Sequence, residues 1–230
     1  MNILRSPLIA AAIGLAALAS SPARADLVIS CTSSTDANWC NGFGGTHTGN
    51  DLFSYTGSAG PYSATEIVTG VALLPSPYVL EVHNFEINVT GPGQLSVFVT
   101  ENGLSGTGIG SFLMNFGTSQ IIGALSGVSR EFWLDYGTNN QVLLGTCSGP
   151  NGTSCNISSA SVNLSGAYSV TEEFDMTAGR NCSGTMACEL STDDAFSLAV
   201  PEPVSLSLFG SGLLALGAIA RRRRKVAAKV

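Results

Sequence analysis

The sequence predicts an all-β domain, a β-sandwich or jelly-roll-like ectodomain, set between two apolar terminal segments. Three observations predict it. Short runs of alternating apolar and polar residues recur from Val79 onward, and Gly, Asn and Pro interrupt them at close intervals. No charged amphipathic stretch of three helical turns occurs between residues 26 and 200. Such spacing suits roughly seven to nine strands in a meander or jelly-roll-like order.

The elements follow in chain order. Residues 1–25 open with one cation, Arg5, continue through the apolar stretch Leu8 to Leu18, and end small and polar at Ala23-Arg24-Ala25. That order is a secretory signal peptide, with Ala23 and Ala25 offering a signal peptidase the small side chains it accepts and cleavage expected before Asp26. The apolar run is about half of the ~20 residues a membrane span needs. Residues 26–78 are rich in Gly, Ser and Thr without a sustained period, and read as a loop-rich, disulfide-stapled first part of the ectodomain.

Residues 79–199 read as the sandwich itself. Phe85, Ile87 and Val89 alternate with Glu86, Asn88 and Thr90; after Gly91-Pro92-Gly93, Leu95, Val97 and Val99 resume the alternation, so the two runs read as a β-hairpin. Further strands are expected over 111–116, 131–136, 141–144, 160–164, 168–176 and 195–200. In the run 131–136 Trp133 falls on the same side as Glu131 and Asp135. Asp193-Asp194 reads as keeping the stalk before the terminal span soluble.

Val204 to Ala220 carries no charge and is followed at once by Arg221, Arg222, Arg223, Arg224 and Lys225. Such a segment covers ~25 Å as a helix, enough to span with local thinning or snorkelling. The five cations are costly to translocate and read as a stop-transfer signal held in the cytoplasm. Residues 226–230 are left as a short cytoplasmic tail.

Directly before this span stands Val200-Pro201-Glu202-Pro203, whose prolines favour an extended, unpaired segment that a protease can bind without unfolding anything. The order over 200–225 of Val-Pro-Glu-Pro, a short Gly/Leu-rich apolar segment and an arginine cluster resembles the PEP-CTERM sorting signal of Gram-negative bacteria. The resemblance implies recognition by an exosortase, processing near the motif, and delivery from an inner-membrane precursor to the cell surface or exopolysaccharide matrix.

Charge narrows the function classes. Apart from Arg5, Arg24 and the six cations of the tail, the only basic residues are Arg130 and Arg180, and of sixteen acids only Glu202 lies outside the domain. Residues 26–200 therefore carry fifteen acids against two bases, a field that repels phosphate backbones and makes a nucleic-acid partner improbable. Six cysteines, Cys31, Cys40, Cys147, Cys155, Cys182 and Cys188, imply disulfides in an exported chain. Closing the shortest loops costs least entropy, which favours Cys31 with Cys40, Cys147 with Cys155, and Cys182 with Cys188. Their spacing lacks the CxxC knuckles of zinc sites.

No catalytic constellation emerges. His47 and His83 are the only histidines, and no Gly-x-Ser-x-Gly elbow accompanies them. Glu172-Glu173-x-Asp175 and Glu131 with Asp135 are the carboxylates a glycoside hydrolase could use, although solvated strand faces explain them more simply. Calcium would suit the charge, but the ladder of oxygen ligands of a calcium loop is absent, so no cofactor and no metal residue is assigned. Trp39, Phe43, Tyr55, Tyr62 and Tyr78 either stack on sugars or anchor loops. The expectation is thus a non-enzymatic surface or matrix protein, with a carbohydrate-binding module for exopolysaccharide and a carboxylate-dependent secreted hydrolase as the alternatives.

Overall fold

The computed structural model describes residues 26–48, 53–70, 78–117, 120–123, 125–136, 141–149, 153–182 and 188–199. The signal segment 1–25 and residues 200–230, which include the sorting motif, the apolar span and the arginines, lie outside the described residues. Among the described residues no helix is long and apolar enough to cross a membrane.

Twelve strands and one short 3-10 turn, Ala37–Cys40, make up the described fold. They are β1 Asp26–Thr32, β2 Gly45–Thr48, β3 Phe53–Ala59, β4 Tyr62–Gly70, β5 Tyr78–Val89 and β6 Gly93–Phe116, then β7 Gln120–Ile122, β8 Leu125–Asp135, β9 Gln141–Ser148, β10 Cys155–Ser158, β11 Val162–Ala178 and β12 Cys188–Ala199. All pairings are antiparallel. One layer runs β2-β1-β6-β11-β8-β9 and the other β3-β4-β5-β12-β6-β10, with β7 also on β12.

Strand β6 belongs to both layers. Its first part pairs with β1 and β11, and its last residues, Ser111–Phe116, pair with β12 and β10. Gly103, at the register shift against β11, and Gly108, still paired with Leu164, take φ of 76° and 99°, a region other residues enter only with strain, and beyond Gly110 the strand passes to the other layer. The two runs expected around 95–99 and 111–116 are therefore one continuous strand.

The layers face each other across an aromatic core. Phe85 of β5 stacks on Phe174 of β11 at 3.7 Å between ring centroids, and Phe132 of β8 on Phe196 of β12 at 4.1 Å. All four rings are fully buried. Removing one costs about 3–5 kcal/mol, so these interlayer stacks contribute heavily to holding the layers together.

Two expectations are corrected. The Gly91-Pro92-Gly93 link does not close a hairpin: β5 pairs with β4 and β12, whereas β6 pairs with β1 and β11 beyond that link. The link is an arch between layers. Period-2 alternation is the same for a strand that hydrogen-bonds its neighbour and for one that packs against it face to face, and Leu95, Val97 and Val99 are buried either way. Trp39 caps this arch, since a Cβ on Gly93 or Gly60 would meet its ring at 2.4 or 2.3 Å.

The stretch expected to be loop-rich holds the four strands β1–β4. Its period is hidden by bulges: Tyr62 and Ala64 of β4 point inward, then the register against β5 shifts and Ile67 takes the next inward place. In β5 the inward phase likewise changes at Asn84, whose φ is 49°, from Leu80 and Val82 to Phe85, Ile87 and Val89.

Candidate functional site

The three short-loop bridges expected from spacing close in the structure. Cys31–Cys40 ties the 3-10 turn to β1, Cys147–Cys155 joins β9 to β10, and Cys182–Cys188 joins the end of β11 to the start of β12.

The first candidate surface is the outer face of the β1-β6-β11-β8 layer. Register places Phe98, Glu173 and Glu131 in one row across β6, β11 and β8, and Ser96, Asp175 and Ser129 in the next. Trp133 lies half-buried beside them, and its indole Nε1–H donates to Glu173 Oε2 at 3.1 Å. Asp175 accepts from the Ser96 hydroxyl and, at 3.4 Å, from that of Ser129. Burial first, and the charge of Asp175 second, push the Glu131 and Glu173 carboxyls up; for Glu173 the charge of Glu131 adds to this, and the indole bond opposes it. A recess of about 300 Å³ opens at the edge of this face, lined by Thr32, Ser34, Gln94, Ser96, Asp175 and Thr177 among others.

A second recess, of about 380 Å³, lies on the other layer between Leu113 and Asn115 of β6, Asn156 and Ser158 of β10, and Ala195 and Ser197 of β12. Leu113 is half exposed there.

The structure distributes the sequence-predicted residues unevenly. Glu173 and Asp175 share the solvent face with Glu131 and Asp135, but Glu172 points into the core. The carboxylates considered for hydrolysis are thus divided between an open sheet face and the interior. His83 pairs with Glu81 at 3.0 Å and His47 stacks on Phe53 at 5.2 Å. Trp39 and Tyr55 serve as anchors: Trp39 sits against Tyr62, and the Tyr55 hydroxyl accepts the Gly44 N–H at 2.7 Å while its ring meets Phe43 edge-on. Among the described residues no group of three or more His, Cys, Asp or Glu is arranged to hold a metal ion.

The charged cluster that sequence reasoning missed is interior. Arg130 of β8 is 1 % exposed. Its Nη1 donates to Asp194 Oδ1 at 2.8 Å, to Thr192 Oγ1 at 2.7 Å and to the Gly117 carbonyl at 2.8 Å; its Nη2 donates to the Thr153 carbonyl at 3.1 Å and lies 3.3 Å from Cys147 Sγ. The Phe116 ring covers the guanidinium at 5.5 Å. Glu172 of β11 completes the group with no exposure at all. Asp193-Asp194 is therefore not a solubilising stalk: Asp194 is an interior ion-pair partner, and Asp193 Oδ1 accepts the Asn84 N–H at 2.7 Å. A signal for the cluster was present in the sequence, because Arg130 interrupts the inward row Val128, Phe132, Leu134, and Glu172 the inward row Val170, Phe174, Met176.

Comparisons with known proteins add the following. No curated protein matches the chain. Among solved structures the chain is similar to TmCBM61 in complex with β-1,4-galactotriose, at 11% identity and TM-score 0.34 over 65% of this chain and 88% of that one. It is also similar to the enzymatically active domain of bacteriophage CBA120 tailspike protein 4, at 13% identity and TM-score 0.33, covering 60% of this chain and 18% of that one. A third likeness is to a Bacillus subtilis family 43 arabinoxylan arabinofuranohydrolase in complex with cellotetraose, at 19% identity and TM-score 0.26, covering 74% and 38%. At these scores the likenesses carry no ligand and no reaction across to this chain. The family model for the PEP-CTERM protein-sorting motif, by contrast, matches residues 199–225, starting at the last residue of β12, so the disulfide-bridged, two-layer β domain is followed by a segment that carries this motif.

Proposed function

We propose that the chain is an exported surface or matrix protein of a Gram-negative bacterium whose β domain works by binding and not by catalysis. It reaches the inner membrane through its signal segment, is held there by residues 204–220 and the arginines behind them, and is released by an exosortase acting near Val200-Pro201-Glu202-Pro203. The observation that carries this reading is the match over 199–225 placed directly after β12. The last described strand ends at Ala199, and the prolines of the motif fix φ and remove backbone donors, which suits recognition by a processing enzyme. Replacing Pro201 and Pro203 by alanine should leave the unprocessed chain in the inner-membrane fraction, read by fractionation and intact mass. Release of that variant at the normal mass would overturn the sorting scheme.

The second reading, binding of exopolysaccharide, is favoured by one observation: an indole oriented by a carboxylate on an open sheet face, in the same layer as a recess lined with hydroxyl, amide and carboxylate groups. An aromatic face supplies stacking area for a sugar ring, and the polar groups supply directional bonds. Trp133→Ala should weaken retention of the exported chain on purified matrix polysaccharide about tenfold in affinity electrophoresis, with the thermal midpoint nearly unchanged. Equal retention of wild type and variant would remove this face as the binding site. Release of reducing sugar that Glu131→Gln abolishes would instead support a hydrolase.

A further inference from the structure

The interior cluster contains one cation and two carboxyl groups, and the hydrogen bonds show how they are shared. Asp194 Oδ1 receives the Arg130 guanidinium at 2.8 Å, the Gly117 N–H at 2.6 Å and the Thr192 hydroxyl at 3.3 Å. Asp194 Oδ2 and both carboxyl oxygens of Glu172 are sealed from water, and no protein donor reaches them. Buried acceptors without donors are costly, and two ionised carboxylates facing each other in a core are costlier. A single proton on Glu172 removes the charge conflict and most of the missing bonds: it turns one Glu172 oxygen into a donor, supplies the missing partner of Asp194 Oδ2, leaves the other Glu172 oxygen an uncharged carbonyl, and leaves Arg130 facing one negative charge.

We propose that the domain binds a structural proton between the Glu172 and Asp194 carboxyl groups, and that this proton fastens the two β layers to each other. Glu172 stands on β11 of one layer and Asp194 on β12 of the other, so the O–H···O bond crosses the core beside the Arg130–Asp194 pair, which crosses it too. The titratable groups acting on Glu172 are Asp194 from β12 and Arg130 from β8. Burial is the largest influence and Asp194 the second; both push the Glu172 carboxyl well above the ordinary range, and Arg130 opposes them without reversing the direction.

The sign of the pH effect follows. An unfolded chain releases this proton near the ordinary glutamic acid value of about 4.3, whereas the folded chain keeps it to higher pH. The contribution is therefore complete in acid and lost as pH rises through the folded value. Between the two values the folding equilibrium constant falls about tenfold per pH unit for this one proton. An exported protein so built is held most firmly in acidic surroundings and loosens as they turn alkaline.

The test compares the denaturant midpoint of the exported chain across pH with that of Glu172→Gln, whose amide donates to Asp194 without titrating. The variant should match wild type in acid and lack its decline toward alkaline pH. Glu101→Gln, run in parallel, separates the contribution of Glu101, a further carboxyl that is almost fully buried on β6. Should Glu172→Gln fold poorly, infrared spectroscopy of the Glu101→Gln chain decides: a carbonyl band of a protonated, water-shielded carboxyl that persists above the ordinary carboxylate range is expected. Absence of that band, or equal pH slopes in wild type and Glu172→Gln, overturns the proposal.

Discussion

Glu172 and Glu173 are neighbours in the chain and inhabit different media. Glu173 lies on an outer sheet face, in a row between Phe98 and Glu131, where water screens its charge and the Trp133 indole N–H holds it. Glu172, one residue earlier, projects into the core, with no donor on either oxygen. The difference teaches that a strand assigns an environment by parity, and that the environment then sets the chemistry: the same carboxyl is a solvated surface anion in one position and a proton-holding strut in the other.

The sharpest way to break the comparison is to remove the interior cation. Arg130→Met leaves Asp194 buried with neither its guanidinium nor enough other donors, and the cost of orphaning one partner of a buried pair is about 3–5 kcal/mol. Urea unfolding should show that loss as a fall in midpoint without a change in slope; a loss below ~1 kcal/mol would mean the pair contributes little beyond packing. The next effect in size belongs to the bridge beside it. Cys147–Cys155 closes a short loop next to Arg130, so replacing both cysteines by alanine should cost about 2–3 kcal/mol. Combined with Arg130→Met the two losses should fall short of additivity, because both act on the same contact.

These interior features also mark the limits of legibility. Inward rows such as Phe85, Ile87, Val89 and Leu95, Val97, Val99 were readable because alternation reports burial directly, and the side of the sheet on which Trp133 lies followed from the same rule. The partner of each strand was not readable, since an arch and a hairpin share one pattern. Nor was the continuity of β6, whose glycines between 103 and 110 look like a breaker and act as a bend. Arg130, Glu172 and Asp194 were not read as interior because charged side chains are assigned to the surface by their own chemistry, although their places in the rows were inward. The sorting motif was fully legible because its signal is linear, local and independent of tertiary contacts.

Glu101 offers a smaller, graded version of the interior case. It is almost fully buried on β6 and its carboxyl is pushed up to about 7 by burial first and Asp26 second. A raised acid binds its proton more tightly when folded, so its contribution is whole below the unfolded value of about 4.3 and disappears as pH climbs through about 7. Glu101→Gln should flatten that part of the thermal midpoint's decline between pH 4.5 and 7.5, in addition to what Glu172→Gln removes. An unchanged profile would mean that water reaches this carboxyl through local opening at the Asp26 end of β1.

The smallest effect is predicted on the outer face, where it carries the opposite lesson. Glu131 and Glu173 face each other directly across β8 and β11, and like charges in such a pair destabilise a sheet. Glu131→Gln removes the repulsion while leaving the Trp133–Glu173 bond in place, and should stabilise the domain at neutral pH by about 0.2–1 kcal/mol. The gain should shrink in acid, where both carboxyls take up protons, and in high salt, where the repulsion is screened. The interior cluster is shielded from salt by burial, so its pH response should persist in 1 M sodium chloride. If salt abolished the pH response of the whole domain, the outer acids would be its source, and the contrast between Glu172 and Glu173 would collapse.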